Sequence, residues 1–213
     1  MSVRKTTLVA ALTGDIVNST KLASRQEQGL LEALDSVLSG YVYEFYRGDS
    51  FQVYVEDPAR ALRLALLCRA IAVGETEGEE DPVVADIRIS IGIGPAEQPV
   101  RNLGKAKGEA FLLSGRQFDR LQQNEERLAI VCGEPTANIG FQAMADYLDS
   151  IFKAMTAKQA RVIAALLQRE TQQTAAQQLN RSKSTVSELA AAGRWPEIER
   201  LLEQYEMLIN RLS

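Results

Sequence analysis

Two aspartates stand at the ends of apolar runs, and their carboxylates are the side chains in this sequence best suited to chemistry. Asp15 follows a glycine and the apolar run 6–12, and Asp49 follows a second glycine within residues 43–55. The latter segment has the aromatic and β-branched flanks and the Gly-Asp pair of a β-hairpin. Mg²⁺ is usually held by one or two carboxylates together with phosphate oxygens. Asp15 and Asp49 are therefore candidate metal ligands.

Both aspartates also have a purely structural interpretation. Aspartate is favoured in turns because its carboxylate accepts hydrogen bonds from the nearby backbone. Either residue alone fits that explanation. A metal site requires a fold that brings the ends of the two segments together.

The composition excludes several kinds of site. The sequence has no histidine, which excludes histidine-based triads and histidine-ligated zinc. Its two cysteines, Cys68 and Cys132, lie far apart inside apolar runs and are expected to be buried core thiols. A cysteine-based metal site needs more ligands than two.

Charge and hydropathy indicate a cytoplasmic protein with a basic C-terminal part. Residues 1–152 carry 15 Lys and Arg against 22 Asp and Glu, whereas residues 153–213 carry 9 against 6. A basic segment fits nucleic-acid contact confined to that part of the chain. No apolar run reaches the length of a membrane span, and the first residues lack a signal-peptide core.

The order of elements predicts an α+β, ferredoxin-like first domain over residues 1–134. Ser24 with Glu27 has the pattern of a capping box before an amphipathic helix, and Asp57-Pro58 that of a second helix start. Residues 87–94 alternate with the period of a strand. The resulting β-α-β-β-α-β order is the split βαβ arrangement, which places Asp15 beside the central hairpin.

Four motifs in this order carry a family resemblance: 14–20, 47–51, 88–94 and 108–116. Together they resemble the SatD family of bacterial proteins and, more distantly, the palm-type domain of class III nucleotide cyclases. The resemblance implies that Asp15 and Asp49 hold two divalent ions, Mg²⁺ or Mn²⁺, that bind a nucleoside triphosphate. It also matches Arg116 to the arginine with which cyclases stabilise the transition state.

Two positions depart from the cyclase pattern. Leu112 stands where cyclases have a ribose-orienting asparagine, and Phe45 stands where they have a purine-reading lysine. The resemblance therefore implies a retained metal–nucleotide site rather than cyclase turnover. Lys105 and Lys107 flank a glycine-containing loop that offers cations to phosphates, although lysines beside loops are commonly only solvated. The nucleotide-binding candidates are Ser19, Thr20, Lys105, Lys107 and Arg116.

The C-terminal part predicts a linker and connecting helix over residues 135–155 and a helix-turn-helix domain over residues 156–213. Two short helical segments, 171–179 and 184–192, are joined by a polar turn. The spacing resembles the helix-turn-helix of sigma factors. It is kept by Ala176, Leu179, Ser182, Val186 and Ser187.

This resemblance implies binding to double-stranded DNA. The recognition helix is predicted to begin near Lys183, with Ser182, Lys183, Ser184, Thr185, Ser187 and Glu188 facing the major groove. Arg181 and Arg194 are predicted to contact phosphates. The alternative is a helical bundle that only packs or dimerises.

The final helix carries an apolar stripe, which is either core or the face of a homodimer. The stripe consists of Ile198, Leu201, Leu202, Tyr205, Leu208, Ile209 and Leu212.

Three functions remain open from the sequence: a DNA-binding regulator with a nucleotide- or metal-sensing palm, a metal-dependent nucleotidyl transferase or cyclase using Asp15 and Asp49, and a non-catalytic protein-interaction module.

Overall fold

The computed structural model describes residues 8–46, 48–75 and 82–212. Several predicted features lie outside these ranges: the first two residues of the strand expected at 6–12, Arg47 of the hairpin, and most of residues 74–82, a polar and acidic segment that the sequence predicts to be a surface loop. All structural statements below concern the described residues.

The described residues contain five strands, eight α-helices and three short 3₁₀ helices. The strands are β1 Leu8–Val17, β2 Val42–Tyr46, β3 Ser50–Val55, β4 Asp86–Pro95 and β5 Leu128–Cys132. The helices are α1 Ser24–Leu38, α2 Ala61–Gly74, α3 Glu109–Leu121, α4 Pro135–Lys153, α5 Ala157–Leu167, α6 Gln172–Gln178, α7 Lys183–Ala192 and α8 Trp195–Leu212.

The strands form a single sheet in the order β2-β3-β1-β4-β5. Neighbouring strands are antiparallel except for β4 and β5, which are parallel and are connected through α3. The first four strands with α1 and α2 reproduce the βαββαβ order of the ferredoxin-like fold. The predicted α+β class is therefore confirmed, and β5 extends the sheet by one strand.

The two faces of the sheet differ in composition because side chains alternate along each strand. The face that packs on α1 and α2 is aliphatic, with Leu12, Val53 and Ile91 fully or almost fully buried. The opposite face packs on α3 and combines small and polar side chains with a second apolar cluster that includes Val9 and Tyr54. At Gly92 the backbone of α3 comes so close that a Cβ would lie 2.2 Å from the carbonyl oxygen of Ala110.

The helix caps only partly follow the sequence prediction. Ser24, predicted as the cap of the first helix, is its first residue, and Ala23 occupies the cap position. Gln26 accepts a hydrogen bond from the Ala23 amide at 3.0 Å, so an amide oxygen three residues on supplies the contact expected of Glu27. Asp57 does act as a cap, but it opens a 3₁₀ turn at Pro58–Arg60 before α2 begins.

Residues 135–155, predicted as a linker with a connecting helix, are almost entirely helical. The helix α4 begins at Pro135 and is capped by Glu134. Its apolar side packs on β5 and joins the same core as α2, α5 and α8. The buried Tyr205 hydroxyl of α8 also donates to the carbonyl oxygen of Pro58 at 2.9 Å. The apolar core is thus continuous from the sheet into the C-terminal helices.

A buried ion network ties α2, β4 and α4 together. The fully buried Arg69 donates from Nε and Nη2 to the two carboxylate oxygens of Asp86, at 3.0 and 2.7 Å. Its Nη1 lies 2.9 Å from Asp149 of α4. On the more exposed side of the network, Arg127 pairs with Asp86 and Lys153 pairs with Asp149, each at 2.8 Å. The network balances each buried charge with an opposite one, which is the condition for burying ions.

Both cysteines are buried and free, as predicted. Burial raises the pKa of the Cys68 thiol to about 12, so this thiol is unreactive at neutral pH. Among the described residues, no helix has both the length and the apolar character required to cross a membrane.

Candidate functional site

The β1–β3 ladder brings Asp15 and Asp49 together, as the predicted topology requires. Asp15 is opposite Ser50 in the register, so Asp49 lies at the adjoining hairpin end. The Ile16 amide donates to the carbonyl oxygen of Asp49 at 3.0 Å. The Ser19 hydroxyl, in the turn after β1, donates to Oδ2 of Asp49 at 2.9 Å. The two carboxylates share one end of the sheet.

Asp15 is held by an arginine of the neighbouring strand. Arg88 is opposite Asp15 in the β1–β4 register, and its Nη1 lies 3.1 Å from Oδ2 of Asp15. The other oxygen, Oδ1, is buried and makes no hydrogen bond of ordinary geometry within the described chain. Burial raises the pKa of Asp15; Arg88 and the Gln122 side chain oppose this rise, and the charge of Asp49 adds to it.

Sequence reasoning did not select Arg88 as a site residue. The signal was present in the alternation of residues 87–94, in which Arg88 and Ser90 share the face opposite the isoleucines. The cross-strand register, which decides that Arg88 meets Asp15, depends on long-range pairing and is not visible locally.

The donor set at this sheet end suits a divalent cation that brings further ligands with it. It comprises two carboxylates, one with an unpartnered oxygen, and no group of three or more candidate ligands occurs in the described residues. Mg²⁺ accepts such a set when phosphate oxygens and water complete its shell. Arg88 already neutralises part of the charge, which weakens the attraction for a cation alone.

The other predicted nucleotide-binding residues do not all reach this end of the sheet. Ser19 and Thr20 lie in the turn directly after β1, with Thr20 exposed. Lys105 and Lys107 instead follow β4, near Pro95, which pairs with Leu8 at the opposite end of β1. Seven residues of strand separate the two ends, a distance of about 23 Å. The two lysines therefore cannot share one small ligand site with Asp15.

Arg116 is also remote from the aspartates. It lies on the exposed side of α3, about 9 Å along the helix axis from Gln122, whose side chain reaches Asp15. Arg116 makes no ion pair with another described residue. Of the two positions that depart from the cyclase pattern, Leu112 is 50% exposed and Phe45 packs on Phe51 with ring centroids 5.8 Å apart.

A row of hydrogen-bonded side chains continues from the Asp15 end beneath α3. The hydroxyls of Thr13 and Ser114 lie 2.6 Å apart, and Ser90 donates to the Ser114 carbonyl oxygen at 2.6 Å. Gln52 donates to Thr13 at 3.4 Å. These contacts satisfy the polar groups that α3 covers, and Asp15, two residues beyond Thr13 on β1, makes none of them.

The predicted helix pair near the C-terminus is present as α6 and α7, joined by four residues. Ser182 is the cap of α7, and its hydroxyl accepts from the Thr185 amide at 3.1 Å. A small separate core formed by α5, α6 and α7 contains Val162, Ala176 and Val186. The residues Ser182, Lys183, Ser184, Ser187 and Glu188 are exposed, and Thr185 is half-buried.

The two predicted phosphate-contacting arginines occupy different places. Arg181 is exposed beside the start of α7. Arg194 lies beyond the other end of α7, about 16 Å along the axis from Lys183. Its guanidinium stacks on the Tyr147 ring at 5.0 Å and pairs with Glu197 at 3.1 Å. Arg194 thus links α8 to α4, away from the exposed start of α7.

No family model matches this sequence, and no curated protein matches it. Solved structures that resemble the chain include a bacterial light-regulated adenylyl cyclase, with 16% identity and a TM-score of 0.39 over 58% of this chain and 75% of that chain. Another is the active GGEEF domain of a diguanylate cyclase from Vibrio cholerae, with 12% identity and a TM-score of 0.40 over 60% and 83%.

One of these structures is an adenylyl cyclase and the other a diguanylate cyclase domain. Their similarity is too low to bear on function. The function proposed below therefore rests on the residues of this chain. Membership of the SatD family stays a prediction.

Proposed function

We propose that the chain is a cytoplasmic DNA-binding transcriptional regulator in which a cyclase-like palm supports a helix-turn-helix. The observation that carries this proposal is the exposed start of α7. Ser182, Lys183, Ser184 and Ser187 are exposed on a helix whose other side is anchored by Val186 and Ala190. In helix-turn-helix proteins, the second helix of such a pair enters the major groove and reads base edges.

Positive charge close to α7 supports the same function. Lys158 and Arg161 of α5 and Arg181 of the turn line one cleft together with Thr185 of α7. Residues 153–213 as a whole carry three more positive than negative charges. Contacts between such side chains and phosphates supply the sequence-independent part of DNA affinity.

We expect binding to duplex DNA that weakens steeply as salt concentration rises. Replacing Arg181 with alanine should weaken binding on every sequence and reduce the slope of log K against log salt by about 1, the loss of one phosphate contact. Lys183→Ala should weaken binding as well. Fluorescence anisotropy with a labelled duplex measures both effects.

Arg120→Ala is the matched control, because it removes an exposed arginine from α3, far from α7. The control should bind as the unmodified chain does. Absence of binding at low salt, or equal losses in the control and the α7 variants, would exclude the proposed role. A chain that binds neither DNA nor nucleotide would instead be the protein-interaction module.

The proposal includes a homodimer formed through a groove between α4 and α8. The groove, of about 610 Å³, is lined by Met144, Tyr147, Leu201, Met207 and Leu208. Met207 is 55% exposed, and Ile139 beside the groove is 74% exposed. The stripe predicted on the last helix is therefore divided: Ile198, Leu202, Tyr205 and Ile209 are core, while Leu201 and Leu208 line the groove.

Charge at the two ends of the groove favours a second copy of the chain as the occupant. The helices α4 and α8 are antiparallel, since Phe141 contacts Tyr205 while Tyr147 contacts Arg194. Arg211 therefore lines one end of the groove. At the other end lie the Arg194–Glu197 pair on Tyr147 and, outside the lining, the exposed Asp146. A twofold axis across the groove sets Arg211 of each copy against Asp146 of the other.

Charge reversal tests this dimer. Arg211→Asp or Asp146→Arg alone should weaken dimerisation at least tenfold, because like charges then meet twice across the axis. The double variant should recover the dimer. Sedimentation velocity measures the dissociation constant, and Arg120→Asp serves as the control. A monomeric unmodified chain, or a double variant no better than the single ones, would contradict the arrangement.

A second candidate function, metal-dependent nucleotide binding, is favoured by the unpartnered Oδ1 of Asp15. Asp15 and Asp49 would hold Mg²⁺ or Mn²⁺, with Ser19 orienting Asp49, and the ion would neutralise phosphate charge on a bound nucleotide. If the site also turned over substrate, the chain would be a nucleotidyl transferase or cyclase. Lys105, Lys107 and Arg116 lie too far away to assist within one chain.

A thermal-shift titration of nucleoside triphosphates tests this candidate. With Mg²⁺ and ligand at one hundred times its dissociation constant, stability should rise by about 2.7 kcal/mol. The shift should require the metal and should be lost in Asp49→Asn. A shift that persists in this variant, or none with any triphosphate, would rule out nucleotide binding at this end of the sheet.

A further inference from the structure

A second cleft lies on the opposite side of the sheet from Asp15, between the palm and the C-terminal helices. It is walled by the end of α1, by α2 and by the end of α5, and has a volume of about 310 Å³. Three arginines, Arg60, Arg63 and Arg169, line it, and we call it the arginine cleft. Val37, Tyr41 and Leu67 form its apolar part.

The positive charge of the arginine cleft is incompletely matched. Arg63 has Glu206 only at 4.0 Å, and its Nε is buried without a hydrogen-bond partner in the described chain. The guanidinium of Arg169 makes no hydrogen bond or ion pair with a described residue. Only Arg60 has a close carboxylate, that of Asp57 at 3.3 Å.

The electrostatics agree with this geometry. Burial lowers the pKa of Arg63, and the like charge of Arg169 lowers it further, while Glu206 and Glu199 only partly oppose the change. Two guanidiniums that repel each other in a half-buried cleft are relieved by an anion placed between them. Guanidiniums bind phosphate through paired, directional hydrogen bonds.

We propose that the arginine cleft binds a small phosphate-bearing molecule of about the size of a nucleoside monophosphate. Its phosphate lies between Arg63 and Arg169, and its organic part rests on Val37 and Tyr41. The mixture of a few charged groups with an apolar floor, and the volume of the cleft, are those of small-molecule sites. This site uses neither Asp15 nor Asp49 and needs no metal.

The position of the cleft suggests a use for the ligand. Its walls belong both to the palm, through α2, and to α5, which packs directly on α6 and α7. An occupant would therefore contact the palm and the support of α7 at once. This consequence alone rests on the proposed DNA binding. If the chain binds DNA, a ligand in the arginine cleft should change the affinity for DNA, and bound DNA should change the affinity for the ligand by the same factor.

Calorimetric titration of the full chain with AMP, pyrophosphate and adenosine tests the proposal, in EDTA and at constant ionic strength. AMP should bind, adenosine should not because it has no phosphate, and pyrophosphate should bind more weakly than AMP because it has no organic part to rest on Val37 and Tyr41. Arg63→Gln and Arg169→Gln should each weaken AMP binding about 10- to 100-fold, the loss of a charge-assisted contact. Arg120→Gln and Asp49→Asn should leave it unchanged.

Two results would overturn the proposal: no binding of AMP or pyrophosphate, or binding that both cleft variants retain. Arg63 also donates at 3.5 Å to the Leu167 carbonyl oxygen, so Arg63→Gln can lower stability on its own. The exposed Arg169 makes no such contact, and its variant keeps the test decisive. Because EDTA removes divalent ions and Asp49→Asn disables the other site, failure here is distinguishable from failure of metal-dependent nucleotide binding.

Discussion

Arg69→Met is expected to lower the free energy of unfolding by about 3–5 kcal/mol, because it leaves two buried carboxylates without their common partner. Methionine keeps most of the side-chain volume and the contact with Phe152, whose ring centroid lies 4.9 Å from the guanidinium. The loss therefore reports the buried charges of Asp86 and Asp149 rather than a cavity. Urea denaturation at pH 7 measures it.

The matched control is Lys153→Met, which removes the outer partner of Asp149. Its side chain is 37% exposed and Asp149 keeps Arg69, so the cost should stay below about 1 kcal/mol. Equal losses of unfolding free energy in Arg69→Met and Lys153→Met would show that the buried charges of the ion network are not the cause.

The loss in Arg69→Met should also depend on pH. Burial alone would raise the pKa of Asp86, but the charge and hydrogen bonds of Arg69, helped by Arg127, hold the pKa below its ordinary value of 3.8. In the unmodified chain, Asp86 thus contributes stability above that value, which is lost as the pH falls through the lowered pKa. Without Arg69 the pKa of Asp86 rises. The difference in free energy of unfolding between the unmodified chain and Arg69→Met should therefore be smaller at pH 4 than at pH 7.

Gly92→Ala is expected to lower the free energy of unfolding by about 3 kcal/mol or more, at the upper end of overpacking effects. The added Cβ would lie 2.2 Å from the Ala110 oxygen and 2.4 Å from the Ser114 nitrogen, both backbone atoms of α3. Backbone atoms cannot move away by a change of rotamer, as the end of a long side chain can. The helix α3 must therefore move away from β4. That movement would also break the contacts of Ser114 with Thr13 and Ser90.

Gly115→Ala, also at the α3 layer, provides the control. Nothing lies within 4 Å of a Cβ added there, and the residue is inside the helix. Alanine should therefore raise stability by up to about 1 kcal/mol, through lower entropy of the unfolded chain and better helix propensity. Thermal unfolding followed by circular dichroism compares the two. A Gly92→Ala protein as stable as the unmodified chain would disprove the close approach.

Both carboxylates of the candidate metal site could be predicted from local patterns. Asp15 and Asp49 each follow a glycine near an apolar run, and the βαββαβ order implies that these segments meet. Arg88 could not be assigned in this way, since its partner is set by the cross-strand register. The same limit explains Lys105 and Lys107: their spacing suits phosphate binding, but the β1–β4 ladder carries them to the other end of the sheet.

Local sequence determined the elements of this protein, because hydrophobic periodicity and capping residues act over a few positions. The hairpin about Gly48, whose φ of 88° suits glycine, and the helix starts at Asp57 and Ser182 follow from such signals. Only the tertiary structure decided which elements pack together and which side chains meet between them. The continuity of the core through α4, the burial of Arg69 and the arginine cleft all depend on side chains distant in sequence, whose pairing energies have no local signature.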